Sequence, residues 1–167
     1  LFTRERKIRR DYPRMRMAGG DWARVTRLAV LRAEGAWFSS SNPAIDNYVQ
    51  LVLEAERSHD RFTWIAGYIG EVITERRARF RYAIDRQLVN AFAARTIYSL
   101  NPDNELALEL LARARGDGYG VRGNYTHRLG RNWKVSGGGV WLRGEATNLL
   151  GRFQQNSHLF LSWRYSF

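Results

Sequence analysis

Three histidines, His59, His127 and His158, with the hydroxyls and carboxylates near them, are the residues of this chain best suited to proton-transfer chemistry. Ser157 and His158 are adjacent. In an extended segment adjacent side chains face opposite ways, so these two cannot serve as nucleophile and base for one another. His59 falls in a turn sequence, and His127 shares a stripe with Tyr119, Val121 and Tyr125, so both read as turn or interfacial residues. The carboxylate pairs Glu54/Glu56 and Glu105/Glu109 have no histidine beside them, and the absence of cysteine removes thiolate, zinc-thiolate and disulfide chemistry. These acids read as partners for arginine. The run Gly116-Asp117-Gly118-Tyr119-Gly120 lacks the lysine and the following helix of a phosphate loop, and reads as a hairpin loop. The sequence therefore predicts no catalytic residue, no metal site and no cofactor.

Charge is the stronger chemical signal. The net charge is +11, and of the 27 basic residues only Lys7 and Lys134 are lysine, which leaves 25 arginines. Guanidinium groups stay charged and hold carboxylate or phosphate in bidentate fashion, so such a chain attracts anions. Nucleic acid, lipopolysaccharide phosphate and acidic polysaccharide all fit that description.

The elements that must position these charges follow from alternation. Residues 1–20, with Arg4, Arg6, Lys7, Arg9, Arg10, Arg14 and Arg16 around Pro13, form a basic arm or incomplete strand ending at Gly19-Gly20. From residue 21 onward the turn signals cut the chain into eight extended stretches, roughly 22–34, 47–57, 61–74, 78–99, 104–115, 119–129, 131–143 and 157–167. Val49, Leu51, Leu53 and Ala55 alternate with Gln50, Glu54 and Glu56; Phe62, Trp64, Ala66 and Tyr68 alternate with Thr63, Gly67 and Glu71. Phe80, Tyr82, Ile84, Leu88 and Phe92 oppose Arg79, Arg81, Asp85 and Gln87 in the same manner. A helical alternative exists in two places: Asn42-Pro43 could cap a helix over 43–57, and 104–115 is rich in helix formers.

The last nine residues carry the clearest pattern. Leu159, Leu161, Trp163, Tyr165 and Phe167 form one apolar stripe, while Ser162, Arg164 and Ser166 point the other way. This ending resembles the carboxy-terminal strand of bacterial outer-membrane β-barrel proteins, in which a final Phe, an aromatic two residues earlier and further apolar alternates form the signal read by the barrel-assembly machinery. The segment from Tyr119 to Phe167 is also loosely similar, in hairpin style, to barrels associated with exopolysaccharide export. The resemblance implies an all-β antiparallel transmembrane barrel in the outer membrane, contacting lipid and lipopolysaccharide and assembled by that machinery.

Turn lengths point the same way. Counting back from Phe167 puts the tight sequences 129–132, 101–104 and 58–60 at one rim, while the connections 35–46, 74–78, 115–118 and 144–156 fall at the other. The start at Leu1, with a basic segment lacking an apolar leader core, reads as a processed or truncated product. The expected architecture is thus an eight-stranded barrel over residues 21–167, or the carboxy-terminal part of a larger one completed by further strands or periplasmic subunits. Its lumen would carry Arg79, Arg81, Arg95, Arg113, Arg122 and Arg164 and pass anionic solutes or acidic polysaccharide. The rival functions are a non-transporting barrel that anchors a surface or periplasmic assembly, and a soluble basic protein that binds nucleic acid, which the terminal stripe disfavours.

Overall fold

A computed structural model describes residues 14–43, 45–77, 90–114, 118–146 and 148–167. They form one antiparallel sheet of nine strands in sequence order: β1 (Met15–Val25), β2 (Val30–Ser40), β3 (Asn47–His59), β4 (Phe62–Glu75), β5 (Ala91–Asn101), β6 (Asn104–Arg113), β7 (Gly118–Leu129), β8 (Trp133–Gly144) and β9 (His158–Tyr165). Every ladder joins consecutive strands, and among the described residues β1 and β9 each have a neighbour on one side only. The sheet is open, not a ring of eight.

The extra strand comes from the first stretch, expected to run unbroken from 22 to 34. It is instead a hairpin in which Val25 pairs with Val30. No glycine or proline marks the bend. Thr26 makes it: its Oγ1 accepts from the Leu28 and Ala29 amides and donates to the Ala29 carbonyl at 2.6 Å, folding four residues back on themselves. That bend also explains why Arg27 broke the alternation. Residues 15–20, grouped by composition with the basic arm, belong to β1, and the expected loop 35–46 shrinks to 41–46 because β2 continues to Ser40.

Both helical alternatives give way to strands. Residues 47–59 and 104–113 are paired on both sides, so their backbone groups are satisfied by neighbours whatever the local propensity. Of the expected stretch 78–99, the part from Ala91 belongs to strand β5, and residues 78–89, with Arg79 and Arg81, lie outside the described residues.

The tight connections collect at one rim, as the sequence implied. Asp60 takes a left-handed conformation (φ 50°) between β3 and β4. Asn101 Oδ1 accepts from the Asp103 amide at 3.0 Å and from Asn104 Nδ2 at 2.7 Å, closing the Pro102-Asp103 turn. Gly130 (φ 65°) does the same for β7 and β8. The opposite rim carries the longer connections, including a short helix α1 (Leu149–Arg152) between β8 and β9. Asn148 caps α1 by accepting from the Gly151 amide at 2.8 Å, and Leu150 is buried. A Cβ on Gly151 would sit 1.9 Å from the Glu145 carbonyl oxygen, so only glycine lets this segment fold onto the rim.

Candidate functional site: a two-faced sheet

Registers assign every strand residue to one of two faces. One face holds Trp22, Leu53, Trp64, Tyr68, Phe92, Leu106, Leu108, Leu110, Tyr119, Tyr125, Trp133, Trp141, Leu159, Leu161, Trp163 and Tyr165. All of these but Tyr68 are exposed, Leu159 to 89% and Trp163 to 64%. Among the described residues the buried hydrophobic ones are only Ala91, Ala107 and Leu150, so neither side of the sheet has a hydrophobic core of its own. In water such a contiguous apolar area would drive association.

The aromatic residues on this face form two rows. Toward the tight-turn rim, Phe62 packs on Tyr98 with ring centroids 4.6 Å apart, and Trp133 on Tyr165 at 4.9 Å. Toward the other rim lie Tyr68 against Phe92 at 5.0 Å, then Tyr119 and Trp141. Along β8 the rows are set by Trp133 and Trp141, eight residues or roughly 27 Å apart along the strand. At a tilt of about 40° this projects to roughly 20 Å, close to the apolar band of a membrane barrel. Between them the face is mostly aliphatic or small, with Ala66, Ala94, Leu108, Leu110, Val121, Gly139 and Leu159, and Trp64 stands among them.

The opposite face is charged, and its charges are sorted. On β1 to β4 it presents Asp21, Glu34, Glu54, Glu56 and Glu71 with a single base, Arg32, which donates to Glu54 and, at 2.8 Å, to Glu56. On β5 to β9 it presents Arg95, Arg113, Arg122, Arg128, Lys134 and Arg164 against Glu105 and Glu109. The sequence expectation of a generally arginine-lined wall becomes a wall with an acidic half and a basic half. Of the expected lumen residues, Arg95, Arg113, Arg122 and Arg164 all stand on the basic half.

Their surroundings differ. Arg95 Nε lies 3.6 Å from Glu109 Oε1. Arg122 stands across from Glu109 but spreads over the Phe160 ring, 5.3 Å from its centroid, and Phe160 in turn occupies the space opposite Gly138. A Cβ on Gly138 would come within 2.2 Å of the Gly123 carbonyl oxygen, which accounts for a glycine at 138 inside a continuous strand. The Arg113 Nε is shielded from solvent without a hydrogen-bond partner. Between these groups a trough of about 500 Å³ runs across β3 to β8, lined by Glu54, Arg95, Glu109 and Arg122 together with Ile65, Ile69, Leu111, Val140 and Leu142.

Arg128, Lys134 and Arg164 form the feature that sequence reading missed as a unit. Arg128 pairs with Lys134 and Lys134 with Arg164, so three cations stand side by side at the tight-turn rim. No ion pair to any of them exists among the described residues. Like charges directly opposite one another destabilise a sheet, and an anion or a well-hydrated opening relieves that repulsion. The signal was present, because a turn at 130–132 places Arg128 across from Lys134.

The histidines have structural partners. His127 Nδ1 is 2.7 Å from Asn104 Oδ1, which also accepts from the Tyr125 hydroxyl, and His158 Nδ1 is 2.6 Å from the Asn156 carbonyl. Ser157 Oγ accepts from the Leu142 amide at 2.9 Å. No cluster of metal-ligating side chains occurs among the described residues. Among the described residues no helix is long and apolar enough to cross a membrane. No protein family, curated protein or solved structure matches the chain.

Proposed function

We propose that this sheet is wall of a bacterial outer-membrane β-barrel, with its aromatic face toward lipid and its charged face toward a lumen that carries anionic solutes or acidic polysaccharide. The observation that carries the reading is the two-faced sheet: a bare apolar face banded by two aromatic rows, backed by a face of paired and unpaired charges. Lipid supplies the apolar contact that no core provides. The three unpaired cations at the tight-turn rim concentrate anions at that mouth, and the basic half of the wall, from Arg95 to Arg164, continues the path. The acidic half keeps the opposite side of the lumen unattractive to the same solutes. The work is electrostatic and needs no cofactor.

The test is conductance in planar bilayers under a salt gradient. The reversal potential should show preference for anions, and R128Q/K134Q/R164Q should move it toward that of a non-selective pore. An unchanged reversal potential in a conducting, folded triple variant refutes the reading. One observation favours the second reading, a non-transporting barrel that anchors an assembly. The trough is flanked by Ile65, Ile69, Leu111, Val140 and Leu142, apolar side chains that could fill a narrow lumen. A folded barrel without conductance would select it.

A further inference from the structure

The charged face carries one row that is out of place on a wetted wall. Successive registers set Gly67 beside Ala93, Ala93 beside Leu111, Leu111 beside Gly120 and Gly120 beside Leu142, so β4 to β8 present no polar side chain along it. At about 4.8 Å between neighbouring strands the row is roughly 19 Å long. Gly67 and Gly120 bring no side chain, and the trough of about 500 Å³ lies over this row with Ile69 at its edge. Apolar surface held against water is stabilised by an apolar body that covers it. The next row toward the tight-turn rim is charged and one anion short. Arg95 stands opposite Glu109 and Glu109 opposite Arg122, two guanidiniums about one carboxylate. Glu109 lies 3.6 Å from Arg95 Nε, whereas Arg122 has no ion pair or hydrogen bond among the described residues and rests on the Phe160 ring. At the β3 end of the apolar row stands Glu54, already held by Arg32.

We infer that the trough is a binding site for a single-headed amphiphilic anion, with an alkyl chain on the apolar row and one carboxylate or phosphate on Arg122. The two halves of the ligand answer the two halves of the site. A hydrophilic anion leaves the apolar row uncovered, and a neutral chain leaves the second guanidinium unbalanced. Glu54 sets the direction, because it repels an anionic head from the β3 end and leaves Arg122 to receive it. The inference rests on the lumen reading of this face and deepens it by naming the class of solute that the wall holds between its rims.

Detergent would compete for the trough, so the test uses protein refolded from urea into phospholipid vesicles without it. Radiolabelled octanoate is measured by equilibrium dialysis, with empty vesicles as the blank, and tryptophan fluorescence shows that each variant has folded. The protein should take up octanoate saturably. Octyl phosphate should displace it, the ratio of the two affinities telling which head Arg122 prefers, whereas acetate and octyltrimethylammonium at the same concentration should not. R122Q should weaken binding about tenfold or more through loss of a charge-assisted contact. L111Q, which leaves every charge in place, should weaken it as well, and R24Q, the same charge change on β1, should not. Absence of saturable binding by folded protein, displacement by octyltrimethylammonium as strong as by octyl phosphate, undiminished binding in R122Q or L111Q, or an equal loss in R24Q overturns the inference, while anion-selective conductance would still stand for the barrel. Saturable binding that depends on Arg122 in protein that stays outside the vesicles would support the trough and sink the membrane reading, which separates the two.

Discussion

Replacing Leu161 by arginine should cost about 2 to 4 kcal/mol of folding free energy in a bilayer, the penalty for a lipid-facing arginine near the midplane of a membrane barrel. Its position is set by the structure. Leu161 pairs with Gly137, midway along β8 between Trp133 and Trp141, and is 59% exposed on the aromatic face. At about 1.4 kcal/mol per tenfold, the loss corresponds to roughly 30- to 700-fold in the folded-to-unfolded ratio. Ser162, one residue on, stands opposite Ser136 on the charged face, so Ser162→Arg should cost under about 1 kcal/mol in a hydrated lumen. The assay is urea-dependent folding of the protein into phospholipid vesicles, followed by tryptophan fluorescence. Equal losses in the two variants would show that the faces do not separate lipid from lumen. A larger loss in Ser162→Arg would invert the assignment.

Further outcomes follow from individual contacts. On the proposed membrane-barrel reading, Phe167→Asp, at a residue wholly exposed next to the aromatic row, should lower the amount of heat-modifiable protein recovered with the outer membrane without lowering synthesis. Gly138→Val should destabilise the β7 to β9 hairpins by several kcal/mol, because its Cβ meets the Gly123 carbonyl at 2.2 Å, and urea titration of the vesicle-bound protein would register it. Arg77 holds the β2–β3 connection to the end of β4 through the Ser40 carbonyl at 2.9 Å and through Asp46, which accepts from its amide at 2.6 Å. Its guanidinium pKa is raised by the hydrogen bond to Glu75, so it stays charged throughout the working pH range. Arg77→Ala should speed amide hydrogen exchange over residues 40–46 and leave the tight-turn rim unchanged. Leu150→Ala should loosen the segment carrying α1, with a stability loss of about 2 to 3 kcal/mol and faster proteolysis between β8 and β9.

Strands with strict alternation were legible in the sequence. Leu53 and Glu54, or Leu161 and Ser162, could be assigned to opposite faces because period two leaves no freedom once a strand is granted. Turns with glycine, proline or asparagine were equally plain. The Thr26 turn was not, because a threonine hydroxyl bonded to two amides has no compositional mark that separates it from a threonine inside a strand. Open ends are also invisible to local pattern. Eight stretches suggested a closed ring, whereas the ninth strand reverses the sense of the final edge. The charge sorting was hidden for a related reason: the bulk excess of arginine says nothing of which strands carry acids, and only the registers show Glu54, Glu56 and Glu71 gathered on adjacent strands. Arg128, Lys134 and Arg164 needed two registers at once, β7 on β8 and β8 on β9.

The contrast between the two rims sets where this protein can accept change. At the tight-turn rim the connections are two to four residues long and locked by their own side chains, as at Thr26 and Asn101, so an inserted residue there would shift a register and turn every following side chain to the wrong face. The longer connections at the opposite rim lie beyond the described ladders, so extra residues there displace no ladder pair. A foreign peptide placed between Gly144 and Ser157 should leave the wall intact, whereas the same peptide at Gly130 should abolish it. One end of the molecule is therefore free to vary its outline, and the other is held to a fixed length.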